Sequence, residues 1–180
     1  IAINGLVWMG NREEMAQRME EKLAAGYRCV KLKIGGIAFD DEVALLDSLR
    51  RRFPRRQVEL RVDANGAFAP DEALERLRTL ARFDLHSIEQ PIRAGQWEEM
   101  AWLCRESPVP IALDEELIGV NATTEMAALL DTIRPAYLVL KPSLHGGLAG
   151  TAEWMRLAAE RDIPYWVTSA LETNVGLNAL

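Results

Sequence analysis

The chain has 180 residues, 49% of them apolar and 27% charged, with a net charge of −6. That is enough for one domain with a sizeable core, in the balance of an ordinary globular protein. The acidic surplus argues against nucleic-acid binding, and no apolar run approaches the roughly 20 residues of a membrane span.

The opening IAINGLVWMG has neither the basic leader nor the cleavage site of a signal peptide. Cys29 and Cys104 make no disulfide framework and read as buried free thiols in a reducing cytoplasm. Strand and helix signals then alternate along the chain. GLVWM (5–9) reads as a short strand, and Asn11 with Glu14 as the capping box of a helix to about residue 25, closed by Gly26. CVKLKI (29–34) is a second strand. A helix over 40–52 carries Val43, Leu46 and Leu49 on one face and ends before Pro54. VELRVDA (58–64) is the third strand, and Pro70 opens a helix with Leu74, Leu77 and Leu80 at three-residue spacing. HSIEQ (86–90), a short helix over 97–105, PIALDE (110–115), a helix near 124–130 and YLVLK (137–141) follow. A helix over 148–161 turns Trp154, Leu157 and Ala158 inward. PYWVTSA (164–170) is the seventh strand, and NVGLNAL (174–180) starts another helix. The chain begins at Ile1 without a methionine and stops at Leu180 inside a helical pattern, which reads as part of a larger polypeptide.

Seven βα units without a long linker predict an α/β fold, a parallel sheet curling into a TIM-like barrel with helices outside. An open doubly wound sheet would gather its chemistry at one switch point. Here the polar residues recur at successive strand ends: Lys33, Asp63, Glu89, Asp114 and Lys141, at gaps of 30, 26, 25 and 27 residues. Repetition at the C-terminal end of each strand aims all five into one cavity. Asp63, Glu89 and Asp114 each follow apolar residues, where desolvation is costly. Together they would repel one another unless a cation held them, and all-oxygen donors favour Mg²⁺ over Zn²⁺. Lys31 and Lys33 alternate with Val30, Leu32 and Ile34, so both share one strand face; that face is the barrel interior or the guarded side of an edge strand. Lys141 follows LVL, and a semi-buried ammonium there needs an anionic partner or a lowered pKa, with Glu115 as the natural partner. Arg61 lies one layer below Asp63, either to clamp a substrate carboxylate or to neutralise the acids. Ser169 either donates to substrate or caps a helix. Gly146-Gly147 either cradles an anion or makes a plain turn. Trp8, Trp97, Trp102 and Trp154 read as packing residues.

The set KxK, DxN, EQP, DE and LKP at these intervals resembles the enolase superfamily, specifically its muconate-lactonising subgroup, over essentially the whole chain. Within it, RVDANGAF, LVLKPSLHGG and SALETNVGLNAL resemble the dehydratases of menaquinone biosynthesis. The resemblance implies a modified (β/α)₇β barrel, here one partial catalytic domain over 1–180 without its last strand and without the N-terminal capping domain that closes the barrel mouth. It implies Mg²⁺, with Mn²⁺ as a substitute, on Asp63, Glu89 and Asp114, with Lys31, Arg61, Asn65, Glu115 and Ser169 around substrate and metal. Lys33 would be the base and Lys141 its opposed cation, following the superfamily's established pattern of a lysine or histidine base beside Mg²⁺. The implied activity is dehydration of a small cyclohexadiene carboxylate. Racemisation of N-succinyl amino acids or epimerisation of dipeptides is the alternative that shares all five residues; a non-catalytic interaction barrel is the alternative from another class.

Overall fold

The computed structural model describes residues 3–179; Ile1 and Ala2, where the chain starts, and Leu180, where the last helical pattern ends, lie outside the described residues. Seven strands run β1 (Gly5–Val7), β2 (Cys29–Lys33), β3 (Glu59–Asp63), β4 (Ser87–Glu89), β5 (Ile111–Leu113), β6 (Tyr137–Leu140) and β7 (Tyr165–Val167). They form one sheet in that order, every neighbouring pair parallel. Helices α1 (Arg12–Ala24), α2 (Phe39–Arg52), α3 (Pro70–Leu80), α4 (Trp97–Glu106), α5 (Thr123–Ile133), α6 (Gly147–Ala159) and α7 (Asn174–Leu177) alternate with the strands. The expected βα order is present as a half-barrel sheet.

Alternation explains the layers. Val30, Leu32, Leu60, Val62, Ile88, Leu138 and Leu140 are buried against the helices, among Met15, Met19, Leu46, Leu49, Leu77, Leu130 and Trp154. The intervening residues, Lys31, Lys33, Arg61, Asp63, Ser87 and Glu89, share the opposite face, in register across β2, β3 and β4. Truncating one core residue, Leu46→Ala for example, costs about 2–5 kcal/mol. β2 pairs on both sides, so its lysines guard no edge.

Local signals act as expected at several ends. Glu14 N–H donates to Asn11 Oδ1 at 2.9 Å, and Asn11 N–H to Glu14 Oε2 at 3.1 Å, completing the capping box. Gly26, just past α1, holds a φ of 85°. Three-residue spacing misreads two helix faces. In α2 the buried side chains are Glu42, Leu45, Leu46 and Leu49, with Val43 only half-buried; in α3 Ala73 replaces Leu74. A 3.6-residue period drifts off an i, i+3 line within two turns. Paired strands are shorter than their apolar patterns because the ladder stops where the chain turns toward the helices. Asp114, Lys141 and Ser169 therefore lie just past β5, β6 and β7.

Candidate active site

Asp63 and Glu89 end β3 and β4, and Asp114 leads into a 3₁₀ turn, Glu115–Leu117. All three are buried, and one carboxylate oxygen from each lies within 4.8 Å of the others. The acids expected to stand uncompensated are each met by lysine. Lys31 Nζ donates to Glu89 Oε2 at 2.7 Å and lies 3.0 Å from Asp63 Oδ2. Lys33 Nζ donates to Asp63 Oδ2 at 2.6 Å, and Lys141 Nζ to Asp114 Oδ2. Lys33 and Lys141 thus flank the cluster from opposite sides, with Glu89 between.

Burial pushes the Glu89 carboxyl well above its usual range; Lys31 offsets part of this, and Asp63 and Asp114 add to it. Burial pushes Asp63 the same way, but Lys31 and Lys33 outweigh it and hold Asp63 below its usual value. Burial works against the Lys31 ammonium, and Glu89 and Asp63 overcome it to raise the lysine. Glu89 Oε1 and Asp114 Oδ1 are buried with no hydrogen-bond partner. Buried orphaned acceptors are costly, and oxygens of three converging carboxylates are the donor set of a hard divalent cation. The residues present therefore fit a metal ion.

A cavity of about 250 Å³ opens above the cluster, lined by Lys31, Lys33, Glu89, Lys141, Trp8 and Ser169 among others. Ser169 faces this cavity, and the cap of α7 is Thr173 instead. The apolar strand pattern makes Trp8 a packing residue, but the structure puts it in the cavity wall, with Lys33 Nζ 5.5 Å from its ring centre. Its sequence context, GLVWM, looks like any apolar strand and gives no sign of this.

Two expected roles are corrected. Glu115 does not pair with Lys141; its Oε1 accepts from Asn65 Nδ2 at 2.7 Å, because the 3₁₀ turn rotates it toward the β3 loop. Asn65 Oδ1 in turn accepts from Lys33 Nζ at 2.7 Å, so Asn65 links Lys33 to Glu115. Arg61 neither clamps the cavity nor neutralises the triad. It forms an ion pair with Glu59 at 2.8 Å and lies 4.5 Å over the Trp166 ring. Gly146-Gly147 is a turn: both hold positive φ, and the Gly147 N–H is taken by Pro142 O at 2.8 Å. Sequence reasoning also missed Glu42, whose Oε1 accepts the N–H of Gly35, Gly36 and Ile37 in the loop after Lys33.

Residues 14–180 match the family described as Enolase C-terminal domain-like. The chain is 57% identical over its whole length to an o-succinylbenzoate synthase from Desulfotalea psychrophila, covering 49% of that relative. It is 33% identical to an N-succinylamino acid racemase from Thermus thermophilus, over 91% of this chain and 42% of that one. The crystal structure of MenC from D. psychrophila superposes with a TM-score of 0.91 at 56% identity, over 99% of this chain and 49% of the other. The chain spans about half the length of the curated relatives it matches.

Proposed function

The chain belongs to the Enolase C-terminal domain-like family, and from that premise we propose that it is the barrel part of an o-succinylbenzoate synthase. The reaction is loss of water from a cyclohexadiene carboxylate to give the aromatic o-succinylbenzoate. The observation that carries the reading is the arrangement of Lys33 and Lys141 on opposite flanks of the buried Asp63–Glu89–Asp114 cluster under one cavity. The 57% identity to a protein of that name supports it.

Asp63, Glu89 and Asp114 would hold Mg²⁺, or Mn²⁺ in its place. When bound, the ion acidifies the carbon beside a substrate carboxylate and offsets the negative charge that develops. Lys33 Nζ takes the proton from that carbon, a task that needs its neutral amine; in the structure Nζ donates to Asp63 and Asn65, which fix its direction. Lys141, held by Asp114, keeps a positive charge on the opposite side, where negative charge accumulates. The C–H electron pair becomes a ring double bond as the C–O bond breaks, and the Lys33 ammonium gives the proton it took to the departing hydroxide, which leaves as water. Ser169 donates a hydrogen bond to substrate, and Trp8 walls the cavity beside the base. The N-terminal capping domain implied by the resemblance would exclude water from the mouth. Two free cysteines suit the cytoplasm, and no described helix is long and apolar enough to cross a membrane.

A second reading, N-succinylamino-acid racemase or dipeptide epimerase, draws support from the same opposed lysines, since two-base inversion needs one on each face of the substrate. Assaying full-length protein with Mg²⁺ on the cyclohexadiene precursor and, in deuterated water, on N-succinyl amino acids separates the two. Dehydration of the first with slow exchange of the second is expected. Rapid exchange with inversion and an untouched cyclohexadiene would establish the racemase instead.

A further inference from the structure

Gln90 is fully buried one residue past Glu89, and every polar atom of its side chain is engaged. Oε1 accepts the backbone N–H of Asp114 and of Glu116, each at 3.2 Å. Nε2 donates to Ile92 O at 3.0 Å and to Glu116 Oε2 at 3.1 Å. Its carbonyl accepts the N–H of Gly66, in the loop after Asp63, at 2.7 Å, and its own N–H donates to Ala112 O at 2.9 Å. One residue thus joins the ends of β3, β4 and β5, which bear Asp63, Glu89 and Asp114. It does so at a φ of 40°, a conformation uncommon outside glycine.

No other side chain meets these demands at this reach. Two converging N–H groups need an acceptor with two lone pairs, and two acceptors need an NH₂ with two donors; among side chains that is an amide. Asparagine is one methylene short. Glutamate would set a second carboxylate against Glu116. An apolar residue would orphan the N–H groups of Asp114 and Glu116 inside the protein.

We infer that Gln90 is a positioning residue: it fixes the spacing of the three carboxylates and so sets the affinity of the site for a divalent cation. The inference rests on the proposed metal site. It deepens that reading, because the carboxylates would owe their spacing to an uncharged neighbour as well as to their own strands.

The test is a calorimetric titration of Mg²⁺ into full-length wild type, Gln90→Met and Leu157→Ala. Gln90→Met keeps the volume and removes the side chain's four hydrogen bonds; Leu157→Ala destabilises the core in α6, away from the site. The dissociation constant should rise ten- to a hundredfold in Gln90→Met, as loss of a ligand's outer partner typically does, and stay within about twofold in Leu157→Ala. If Gln90→Met does not fold, Gln90→Asn, which keeps the amide out of reach of its partners, should show the same rise. An unchanged constant in the Gln90 variant, or an equal rise in Leu157→Ala, overturns the inference while leaving the metal site standing. Failure of wild type to bind Mg²⁺ overturns the metal site itself.

Discussion

The inward face of this sheet carries two layers of charged residues on the same strands, one or two pleats apart, and they are built to different ends. In the lower layer the Arg61–Glu59 ion pair is covered by Trp166, Glu59 also accepts from Cys29 Sγ at 3.4 Å, and His86 stacks on Tyr137 at 4.8 Å between ring centres. In the upper layer three carboxylates are driven against three lysines, and Glu89 Oε1, Asp114 Oδ1 and Glu115 Oε2 are left buried without partners. A layer whose charges close on one another is finished structure. A layer whose lysines do not use up its carboxylate oxygens retains capacity for a ligand. Charge alone does not distinguish them; unused hydrogen-bonding capacity does.

Substitutions across the two layers should separate them most. In full-length enzyme Lys33→Ala should lower turnover by roughly 10²–10⁴-fold, the worth of a positioned base. Lys141→Ala should lower it by about 10²–10³-fold through lost stabilisation of charge. Arg61→Met, in the lower layer, should leave kcat within a few-fold. If steady-state kinetics instead show Arg61→Met as damaging as Lys141→Ala, the distinction between layers fails.

Stability should divide the same way, with a smaller span. Asp63→Asn leaves Lys31 and Lys33 crowded against an amide, and breaking a buried pair from one side costs about 3 kcal/mol. Arg61→Met removes a half-exposed pair and a cation–π contact, together about 1–2 kcal/mol. Urea unfolding of the metal-free proteins measures both, and equal losses would erase the contrast.

Much of this was legible in the chain. The strand order and the five strand-end residues follow from periodicity and spacing, because a parallel βα array gives its polar rim no other place. Arg61 was misassigned because alternation fixes a face and not a partner: Glu59, two residues earlier on the same strand, reaches it first. Glu115 was misassigned because a 3₁₀ turn after β5 has no sequence pattern of its own, and three residues of it rotate the carboxylate toward Asn65. Trp8 reads as one more packing residue, and Gln90 stands in the EQP motif with no role of its own, for a related reason. Their roles depend on what other loops bring beside them.

A subtler contrast lies in acid. His145, behind Lys141 in the upper layer, accepts the Lys141 N–H on Nδ1 at 3.1 Å, and burial holds its imidazole below the usual range. A histidine depressed in the fold is neutral there while the unfolded chain still takes up a proton, so stability is full above about pH 6.5 and falls as pH drops toward the folded value. Across pH 8 to 5, His145→Gln should lose less stability than wild type in thermal unfolding; an unchanged difference would remove His145 as a source of the loss, which His86, also held low by burial, shares. The smallest effect belongs to the cysteines. Burial pushes Cys29 in the lower layer to about 11 and Cys104 to about 12, so neither thiolate is present at pH 8 and thiol reagents should label folded protein only slowly. Fast labelling of Cys29 would mean that the lower layer opens.

The cation capacity of the upper layer is tested most directly by diffraction from crystals of full-length protein soaked in Mn²⁺. One anomalous peak should appear at about 2.0–2.2 Å from one oxygen each of Asp63, Glu89 and Asp114, with Lys33 and Lys141 on either side of it. A peak elsewhere, or none at a concentration that supports turnover, would contradict the assignment of these three carboxylates as the metal site.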